Sequence, residues 1–226
     1  SFHKPYNALI KNQIVPLLFN NTVTGKNVSL VLLKKDLNKA LNVMHAQIFG
    51  QPKKVNIAVV GVGQVGGALI DQILKTAPQI EARKGIKLQV FALLNSKKML
   101  LNAQGIGTAS KDWRSALTTL GEAVHFEKLF SYAQEQHLEN LILVDNTAST
   151  PFVQHYEHFV RNGFDLVSSN KIANTLPFNQ YKSLRETLGE HQKQYLYETN
   201  VGAGLPLIDT IKLLHLSGEN ITQIKG

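Results

Sequence analysis

The chain has 226 residues, 43% hydrophobic and 18% charged, a composition typical of a globular protein with one large domain, or one domain and part of another. It has no cysteine, no run of about 18 or more apolar residues and no N-terminal signal pattern, which argues against disulfides, cysteine nucleophiles and a membrane span and favours the cytoplasm. The net charge of +8 comes without a nucleic-acid-binding motif, so we interpret the lysines as a solvated face and expect neither nucleic acid nor membrane as a partner.

Residues 1–50 indicate an incomplete α+β unit. The pattern predicts two strands and one helix, in the order 13–20, a turn at Gly25, 27–33 and 37–49. Asp36 is predicted to cap the helix, whose apolar face is predicted to consist of Leu37, Ala40, Leu41, Met44 and Ile48. Two strands and one helix are too few to close a core alone, so we interpret this segment as the last part of a domain.

Residues 51–226 alternate strand and helix, which indicates a parallel sheet with helices on both faces. The predicted strands are 55–60, 88–94, 141–144, 165–168 and 195–197, with a further one starting at 221–226. The predicted helices are 65–76, 113–120, 128–137, 152–162, 178–188 and 206–216. The predicted fold class is therefore α/β, a Rossmann-type doubly wound parallel sheet preceded by a partial α+β segment.

A glycine-rich turn of the form G-x-G-x-x-G follows the first of these strands. Gly61 allows the tight turn, Gly63 leaves room for a pyrophosphate beside the backbone, and Gly66 lets the next helix pack against the strand. The N–H groups of Gln64 and Val65 are expected to point at the phosphates, at the positive end of the helix dipole. A strand before the turn and an amphipathic helix after it favour dinucleotide binding over a purely structural turn.

The strand 88–94 leads into Asn95, Ser96, Lys97 and Lys98 rather than into an acidic residue. An Asp or Glu at this place binds the ribose 2′-hydroxyl of NAD, whereas a hydroxyl and an ammonium suit the 2′-phosphate of NADP. The sequence therefore predicts cofactor-binding roles for Asn95, Ser96 and Lys97 and favours NADP(H) over NAD(H). The alternative is a loop with two solvated lysines.

Three further polar segments follow strands: 145–149 (DNTAS), Asn170-Lys171 and 198–206 (ETNVGAGLP). The carboxyl ends of parallel strands lie on one edge of a sheet, so Thr147, Lys171 and Glu198 are expected to converge on one cleft. Local sequence leaves a second interpretation open for each: a helix N-cap for Thr147, a surface lysine for Lys171, and a glycine-rich connection for 198–206.

The order and spacing of these segments, together with the 61–66 turn, closely resemble homoserine dehydrogenases over about residues 53–226, with NVGAGLP as the most specific element. Residues 1–50 resemble the end of an ACT-type regulatory domain, as found at the end of aspartate kinases. The resemblance implies a partial ACT-like segment, 1–50, and a dinucleotide-binding domain, 51–226, from a fused aspartate kinase–homoserine dehydrogenase. Such an enzyme interconverts L-homoserine and L-aspartate 4-semialdehyde in the pathway to threonine and methionine.

The resemblance also implies roles for particular residues. Thr147 resembles the family position beside the nicotinamide. Lys171 resembles the family's lysine near both cofactor and substrate, where an ammonium stabilises the developing alkoxide and supplies a proton. In this family a monovalent cation such as Na⁺ is held largely through main-chain carbonyls. The positions that hold it resemble four residues of this sequence: Glu198, Val201, Ala203 and Leu205.

The family's substrate-binding region, with its acidic residues and a second lysine, has no counterpart up to residue 226. We therefore expect the chain by itself to bind cofactor and to show little or no turnover of its amino-acid substrate, and we expect the full-length protein to be a homo-oligomer. The rival interpretation is a non-catalytic dinucleotide-sensing module, against which Lys171 and the 198–206 loop argue. A dehydrogenase that works through a thioester is excluded by the absence of cysteine.

Overall fold

The computed structural model describes residues 3–22, 27–107, 112–223 and 225. Its N-terminal part consists of helix α1 (His3–Lys11), an antiparallel pair β1 (Leu18–Asn21) and β2 (Val28–Val31), and helix α2 (Leu37–Phe49). A small core joins the two helices and is made of Leu9, Ile14, Ala40 and Val43. The turn predicted at Gly25 lies outside the described residues.

The first strand is shorter than predicted, and a helix precedes it. The strand expected at 13–20 begins at Leu18, because Pro16 has no N–H to offer to a strand ladder and Gln13 turns the chain with a positive φ of 60°. Helix α1, which the sequence pattern did not indicate, contributes the fully buried Leu9 to the small core.

Helix α2 begins and ends where the sequence predicts, but two of its details differ. Asp36 lies at the N-cap position, yet its carboxylate makes no capping hydrogen bond, because its backbone is already helical (φ −94°, ψ −7°) as the end of a 3₁₀ turn. The buried residues of α2 are Ala40 and Val43. The prediction of the apolar face was therefore wrong for three exposed residues, Leu37, Leu41 and Ile48.

The larger sheet is built from strands distributed over the rest of the chain. These are β3 (Lys53–Val60), β4 (Ile86–Leu94), β5 (Lys98–Leu101), β6 (Glu122–Ala123), β7 (Leu141–Asp145), β8 (Phe164–Ser168) and β9 (Tyr195–Leu196). Their order is β6-β5-β4-β3-β7-β8-β9. The run β4-β3-β7-β8-β9 is parallel, which confirms the predicted doubly wound fold. Strands β5 and β6, which the sequence pattern did not indicate, add to one edge in antiparallel orientation.

Helices pack on both faces of this sheet. They are α3 (Gln64–Lys84), α4 (Trp113–Leu120), α5 (Phe126–Glu135), α6 (Thr150–Val153), α7 (Tyr156–Arg161) and α8 (Phe178–Glu190). A further helix, α9 (Leu207–Leu216), follows β9 and buries none of its residues. Successive side chains of β3 point to opposite faces of the sheet. Ile57 and Val59 pack in the core under α3 and α4, whereas Ala58 and Val60 pack in the core under α5 to α8. None of the helices in the described ranges is long and apolar enough to cross a membrane.

Three elements differ clearly from the prediction, and several others begin or end one or two residues from the predicted positions. The helix expected at 152–162 is divided into α6 and α7, and α3 continues past Pro78 to Lys84, where Gly85 ends it with a left-handed backbone (φ 61°). The strand expected to start at 221–226 was wrong for residues 221–223 and 225, the described part of that segment.

The strand order changes direction between β3 and β7. The chain passes from β3 to β4 on one side and later adds β7 on the other side. Pairing of Val60 with Asp145, and of Asp145 with Ser168, aligns the carboxyl ends of β3, β7 and β8 on one edge. Ligands of open α/β sheets bind beyond the carboxyl ends of the strands at such a switch point. A ligand is therefore expected to bind beside the residues that follow Val60, Asp145 and Ser168.

Candidate functional site

The glycine turn after β3 is shaped by contacts that exclude side chains. A Cβ atom at Gly66 would lie 1.9 Å from the carbonyl oxygen of Gly61, and a Cβ atom at Gly61 would lie 2.8 Å from Thr147 Cγ2. Gly61 also has a positive φ of 82°. Glycine is required at both positions, because a side chain at either would push α3 away from β3 or the turn away from the loop after β7.

Gly63, the N-cap residue of α3, faces open space instead. A Cβ atom there would meet nothing within 4 Å. The N–H groups of Gln64 and Val65 precede the first bond within the helix, which runs from the N–H of Gly67 to the carbonyl of Gly63 (2.7 Å). Such N–H groups have no partner inside their own helix. At the positive end of a 21-residue helix, they suit an anionic group such as a pyrophosphate.

A cleft of about 290 Å³ opens beside this turn, at the carboxyl ends of β3, β4 and β7. Gly61, Ser96 and Thr147 line it, together with the apolar rings of Phe126 and Phe152. The cleft therefore joins three segments for which the sequence predicts a cofactor: the glycine turn, the loop after β4 and the loop after β7. Apolar walls with a few polar groups are typical of small-molecule sites.

The turn after β4 fixes Asn95 and leaves its neighbours exposed. The side-chain oxygen of Asn95 accepts hydrogen bonds from the backbone N–H groups of Lys97 (2.8 Å) and Lys98 (2.7 Å). The ammonium of Lys98 donates to the carbonyl of Thr118 in α4. Ser96 and Lys97 are exposed. Of the two lysines, Lys98 is thus engaged with α4, and Lys97 is the one at the exposed tip of the turn.

A buried polar network adjoins the cleft. Asp145, the last residue of β7, is fully buried. Its carboxylate accepts hydrogen bonds from the Tyr156 hydroxyl (2.6 Å), from Asn170 Nδ2 (3.1 Å) and from the Thr147 backbone N–H (2.7 Å). Burial, and after it the Asp145 carboxylate, raises the pKa of Tyr156 above its usual value, so the phenol remains a hydrogen-bond donor.

Thr147 connects this network to the cleft. Its Oγ1 atom accepts hydrogen bonds from the Ser149 backbone N–H (3.2 Å) and from Asn170 Nδ2 (3.3 Å), so neither bond uses its hydroxyl hydrogen. The helix N-cap interpretation of Thr147 is wrong, because the residue that caps α6 is Ser149, whose hydroxyl accepts from the N–H of Phe152 (3.3 Å).

Lys171 lies on the same sheet edge, after β8. It is exposed and stands at the start of the 3₁₀ turn Ile172–Asn174. The preceding residue, Asn170, is buried, and its N–H donates to Ser168 Oγ (2.9 Å). The backbone at Lys171 is therefore anchored next to the Asp145 network, while its side chain is exposed to solvent.

The 198–206 loop contacts this anchor. Asn200 Nδ2 donates to the carbonyl of Asn170 (3.2 Å). The Glu198 carboxylate accepts hydrogen bonds from the backbone N–H groups of Ile208 and Asp209 (2.9 Å each), and so caps α9. The main-chain carbonyl of Glu198 accepts the N–H of Val201 (3.5 Å). The other residues named for a cation are exposed, namely Val201, Ala203 and Leu205.

The described ranges contain no group of three or more His, Cys, Asp or Glu residues that could hold a metal ion. Ala203 has a left-handed backbone (φ 52°), which turns the loop sharply before α9. The monovalent-cation site stays a prediction.

Sequence reasoning missed the members of the buried network as a group. Asp145 and Asn170 carry a signal, because each is a polar residue at or just after the end of an apolar strand. Tyr156 carries no such signal, since it reaches Asp145 from α7. Asn146 is a further omission: its Nδ2 atom is buried at the switch point without a hydrogen-bond partner among the described residues.

The fold and the site together define the class of the protein. A parallel sheet wound in both directions from β3, a glycine turn opening α3 and a cleft at the switch point are the features of a Rossmann-type NAD(P)-binding domain. Within that class, the family described as "Homoserine dehydrogenase, NAD binding domain" matches residues 61–198. The chain belongs to the homoserine dehydrogenase family, which confirms the resemblance seen in its motifs.

The chain is similar to considerably longer proteins. It is 35% identical to the bifunctional aspartokinase/homoserine dehydrogenase of Buchnera aphidicola, over 88% of this chain and 24% of that protein. It is 31% identical to the chloroplastic bifunctional aspartokinase/homoserine dehydrogenase 1 of Arabidopsis thaliana, over 98% of this chain and 24% of the relative. The chain thus spans about a quarter of the length of these curated relatives.

Among solved structures, the chain is similar to a hyperthermophilic archaeal homoserine dehydrogenase in complex with NADPH. The TM-score is 0.51 and the sequence identity 25%, with coverage of 70% of this chain and 48% of that chain.

Proposed function

We propose that this chain is the cofactor-binding part of an NADP(H)-dependent enzyme that interconverts L-homoserine and L-aspartate 4-semialdehyde. The observation that carries the proposal is the arrangement at one sheet edge. The glycine turn and Thr147 border one cleft, and Asn170, next to Lys171, is hydrogen-bonded to Thr147. Membership of the homoserine dehydrogenase family and this arrangement together support a role in holding the cofactor for hydride transfer.

The described residues fit a dinucleotide. Gly63 leaves open space in front of the N–H groups of Gln64 and Val65, which would hold the pyrophosphate. The unpartnered Nδ2 atom of Asn146 gives a further donor at the switch point. Thr147 would hold the nicotinamide end through its hydroxyl.

The preference for NADP(H) over NAD(H) rests on the turn after β4. This turn carries no carboxylate, and Asn95 shapes it so that Ser96 and Lys97 are exposed beside the cleft. A hydroxyl and an ammonium would hold the ribose 2′-phosphate. The archaeal relative whose structure contains NADPH supports the same choice.

The chemical role proposed for this chain is the transfer of a proton to or from the reacting oxygen of the substrate. The bound nicotinamide supplies or accepts the hydride. In the direction of reduction, the Lys171 ammonium stabilises the negative charge that develops on the aldehyde oxygen and gives that oxygen a proton, which completes the alcohol. In the direction of oxidation, the unprotonated amine takes the hydroxyl proton of homoserine.

The remaining proposals concern the whole protein. The substrate is an amino acid bound by residues outside this chain, the same polypeptide also carries an aspartate kinase, and the assembly is a homo-oligomer. The names of the relatives, of which this chain covers about a quarter, support the amino-acid substrate and the kinase. The chain alone is expected to bind cofactor with little or no turnover. The cytoplasm is the proposed compartment, with a chloroplast as the alternative that the Arabidopsis relative offers.

A monovalent cation such as Na⁺ is proposed for the 198–206 loop, held by the main-chain carbonyls of Glu198, Val201, Ala203 and Leu205. Turnover of the full natural polypeptide should then rise when a bulky organic cation in the buffer is replaced by Na⁺ at constant ionic strength. Equal turnover in the two buffers would contradict this site and leave the dinucleotide site unaffected.

The proposed reaction is tested with the full natural polypeptide. Reduction of NADP⁺, followed by absorbance, should depend on added L-homoserine and should be far slower with L-serine or L-threonine, which place the hydroxyl one carbon closer to the α-carbon. Binding of NADPH without turnover of any of these amino acids would contradict the proposal and favour a dinucleotide-sensing module.

A further inference from the structure

Asp145 is an unusual residue for the end of a core strand. Its side chain is fully buried, yet the ion pairs of the described residues do not include it. A buried carboxylate without a cation is costly unless hydrogen-bond donors surround it. Here the donors are neutral groups, and the shortest bond comes from Tyr156 (2.6 Å).

The donors around Asp145 belong to the two loops that border the proposed reaction site. Oδ1 accepts from the N–H of Thr147 in the loop after β7, and Oδ2 accepts from Asn170 Nδ2 in the loop after β8. Asn170 Nδ2 also lies within hydrogen-bond distance of Thr147 Oγ1 and of the Ser149 carbonyl (3.3 Å each). One carboxylate therefore sets the position of the loop with Thr147 relative to the loop with Lys171.

Tyr156 completes the arrangement from outside the two loops. It is a residue of α7, 1% exposed, and its hydroxyl lies between Asp145 Oδ2 and Ser168 Oγ (2.9 Å). Ser168 in turn accepts the N–H of Asn170. The phenol thus connects the end of β7 with the end of β8, and its removal would leave Asp145 Oδ2 with one donor fewer in a buried setting.

We propose that Asp145 and Tyr156 form a positioning pair, which holds Thr147 and the backbone at Lys171 in the mutual geometry that hydride and proton transfer require. The inference rests on the function proposed above. Neither residue touches the reacting atoms. Their effect is on the alignment of groups that do, and misalignment by about 1 Å can lower turnover by about a hundredfold.

The test uses Tyr156→Phe and Asp145→Asn in the full natural polypeptide, with kcat expressed per NADPH-binding site. We expect kcat to fall by about tenfold to a hundredfold, while the dissociation constant of NADPH, measured by fluorescence titration, changes by less than about threefold. The hydrogen bonds of Asp145 and Tyr156 among the described residues do not involve Gln64 or Val65, whose N–H groups would hold the pyrophosphate, so most of the cofactor affinity is kept.

The matched control is Tyr195→Phe. Tyr195 is also buried (6% exposed) and its ring packs edge-on against Tyr156 (5.8 Å between centroids). Burial raises the pKa of its hydroxyl more than the nearby Ser168 and Asn200 lower it, but the hydroxyl makes no hydrogen bond to Asp145 among the described residues. We expect it to keep parental kcat. An equal loss of kcat in Tyr156→Phe and Tyr195→Phe, or parental kcat per site in Tyr156→Phe, would overturn the proposal.

A second measurement does not depend on turnover. Amide hydrogen exchange at Thr147 and Asn170 should become faster in Tyr156→Phe than in Tyr195→Phe, because the carboxylate that accepts from Thr147 is less firmly held. Unchanged exchange at both amides would contradict the positioning pair even if the parent enzyme shows no homoserine turnover. A parent without turnover would instead contradict the proposed reaction alone.

Discussion

Gly63 and Gly66 belong to the same motif but serve different purposes. Gly66 is a packing residue, because a Cβ atom there would collide with the carbonyl oxygen of Gly61 at 1.9 Å. Gly63 leaves space for a ligand beside the backbone, because a Cβ atom there would meet nothing within 4 Å. Glycine is therefore needed at position 66 for folding, whereas at position 63 we expect it to be needed for ligand binding.

Gly63→Val should therefore abolish dinucleotide binding at little cost in stability, within about 1 kcal/mol of the parent. Isothermal titration with NADPH and thermal unfolding measure the two effects. Gly66→Ala is the contrasting variant and should lower the melting temperature, because its methyl group has no room. Normal NADPH binding by Gly63→Val would show that the phosphates do not approach this backbone.

Lys97 is the residue proposed to distinguish the two cofactors. Lys97→Ala should reduce the difference in binding free energy between NADPH and NADH by about 1–3 kcal/mol, the scale of charge-assisted hydrogen bonds. Lys98→Ala is the matched control and should leave this difference nearly unchanged, since the Lys98 ammonium is engaged with the Thr118 carbonyl. Equal affinities for NADPH and NADH in the parent would contradict the assignment.

Local sequence predicts residues whose role depends on their immediate neighbours, and fails for residues whose partners are distant in the chain. The glycine turn follows from one strand, one turn and one helix start. Thr147 and Asn170 are 23 positions apart, and their hydrogen bond exists because β7 and β8 pair side by side. The role of Tyr156 depends further on how α7 packs against β8, which brings its hydroxyl to Asp145 and which no short pattern reveals.

At the scale of elements, segments with a clear apolar period were found, whereas the very short strands at one edge of the sheet were missed. Helices α2 and α4 have the predicted bounds, because a consistent apolar period defines each of them. Strands β5 and β6 have four and two residues, too few for an alternation to be visible. The apolar face of α2 was misjudged because the helix buries only the side that meets α1, and exposes Leu37 and Leu41 on the other.

Two lysines fasten the C-terminal end of α1. Lys193 donates to the carbonyl of Lys11 (2.8 Å) and Lys39 donates to the carbonyl of Asn12 (3.2 Å). Ammonium groups stabilise the unpaired carbonyls at a helix end. Burial, with Lys193 as the second cause, lowers the pKa of Lys39 from its ordinary 10.5 to about 8, while Asp36 and Glu139 act in the opposite direction.

This pKa gives stability a particular dependence on pH. Between about pH 8 and 10.5 the unfolded chain still holds the Lys39 proton and the folded chain has lost it, so raising the pH through this window favours the folded state. Lys39→Met has no such proton. The free energy of unfolding of the parent relative to Lys39→Met, measured in urea, should therefore rise from pH 7.5 to pH 10, roughly the window these two values define. A difference that stays constant with pH would contradict a lowered Lys39 pKa.

At the scale of the whole molecule, the N-terminal part lies against the edge of the sheet opposite to the proposed site. Asn12 and Asn140, just before β7, exchange hydrogen bonds of 2.7 and 3.4 Å, and Gln13 lies 3.2 Å from His191 Nδ1. The structure therefore connects residues 1–50 to the amino ends of the strands and the cofactor cleft to their carboxyl ends. The division of the chain at residue 50 into a regulatory segment and a dinucleotide-binding domain stays a prediction.

Helix α9 has an apolar surface that no residue of the described ranges buries. All of its residues are at least partly exposed, and Leu213 and Leu216 are 67% and 81% exposed. The curated relatives are about four times as long as the segment they share with this chain. Homoserine turnover should for this reason be measured in the full natural polypeptide.

The central claim, that Lys171 supports hydride transfer at the edge defined by β7 and β8, is tested most directly by Lys171→Ala in that polypeptide. We expect kcat at saturating homoserine and NADP⁺ to fall by a factor of about 10²–10⁴, the range usual for a positioned acid–base group, with an unchanged melting temperature because the side chain is exposed. Lys182→Ala, which removes an exposed lysine of α8 paired with Glu186, is the matched control and should keep parental kcat. Parental kcat in Lys171→Ala would show that Lys171 is an ordinary surface lysine and would contradict its proposed role in catalysis.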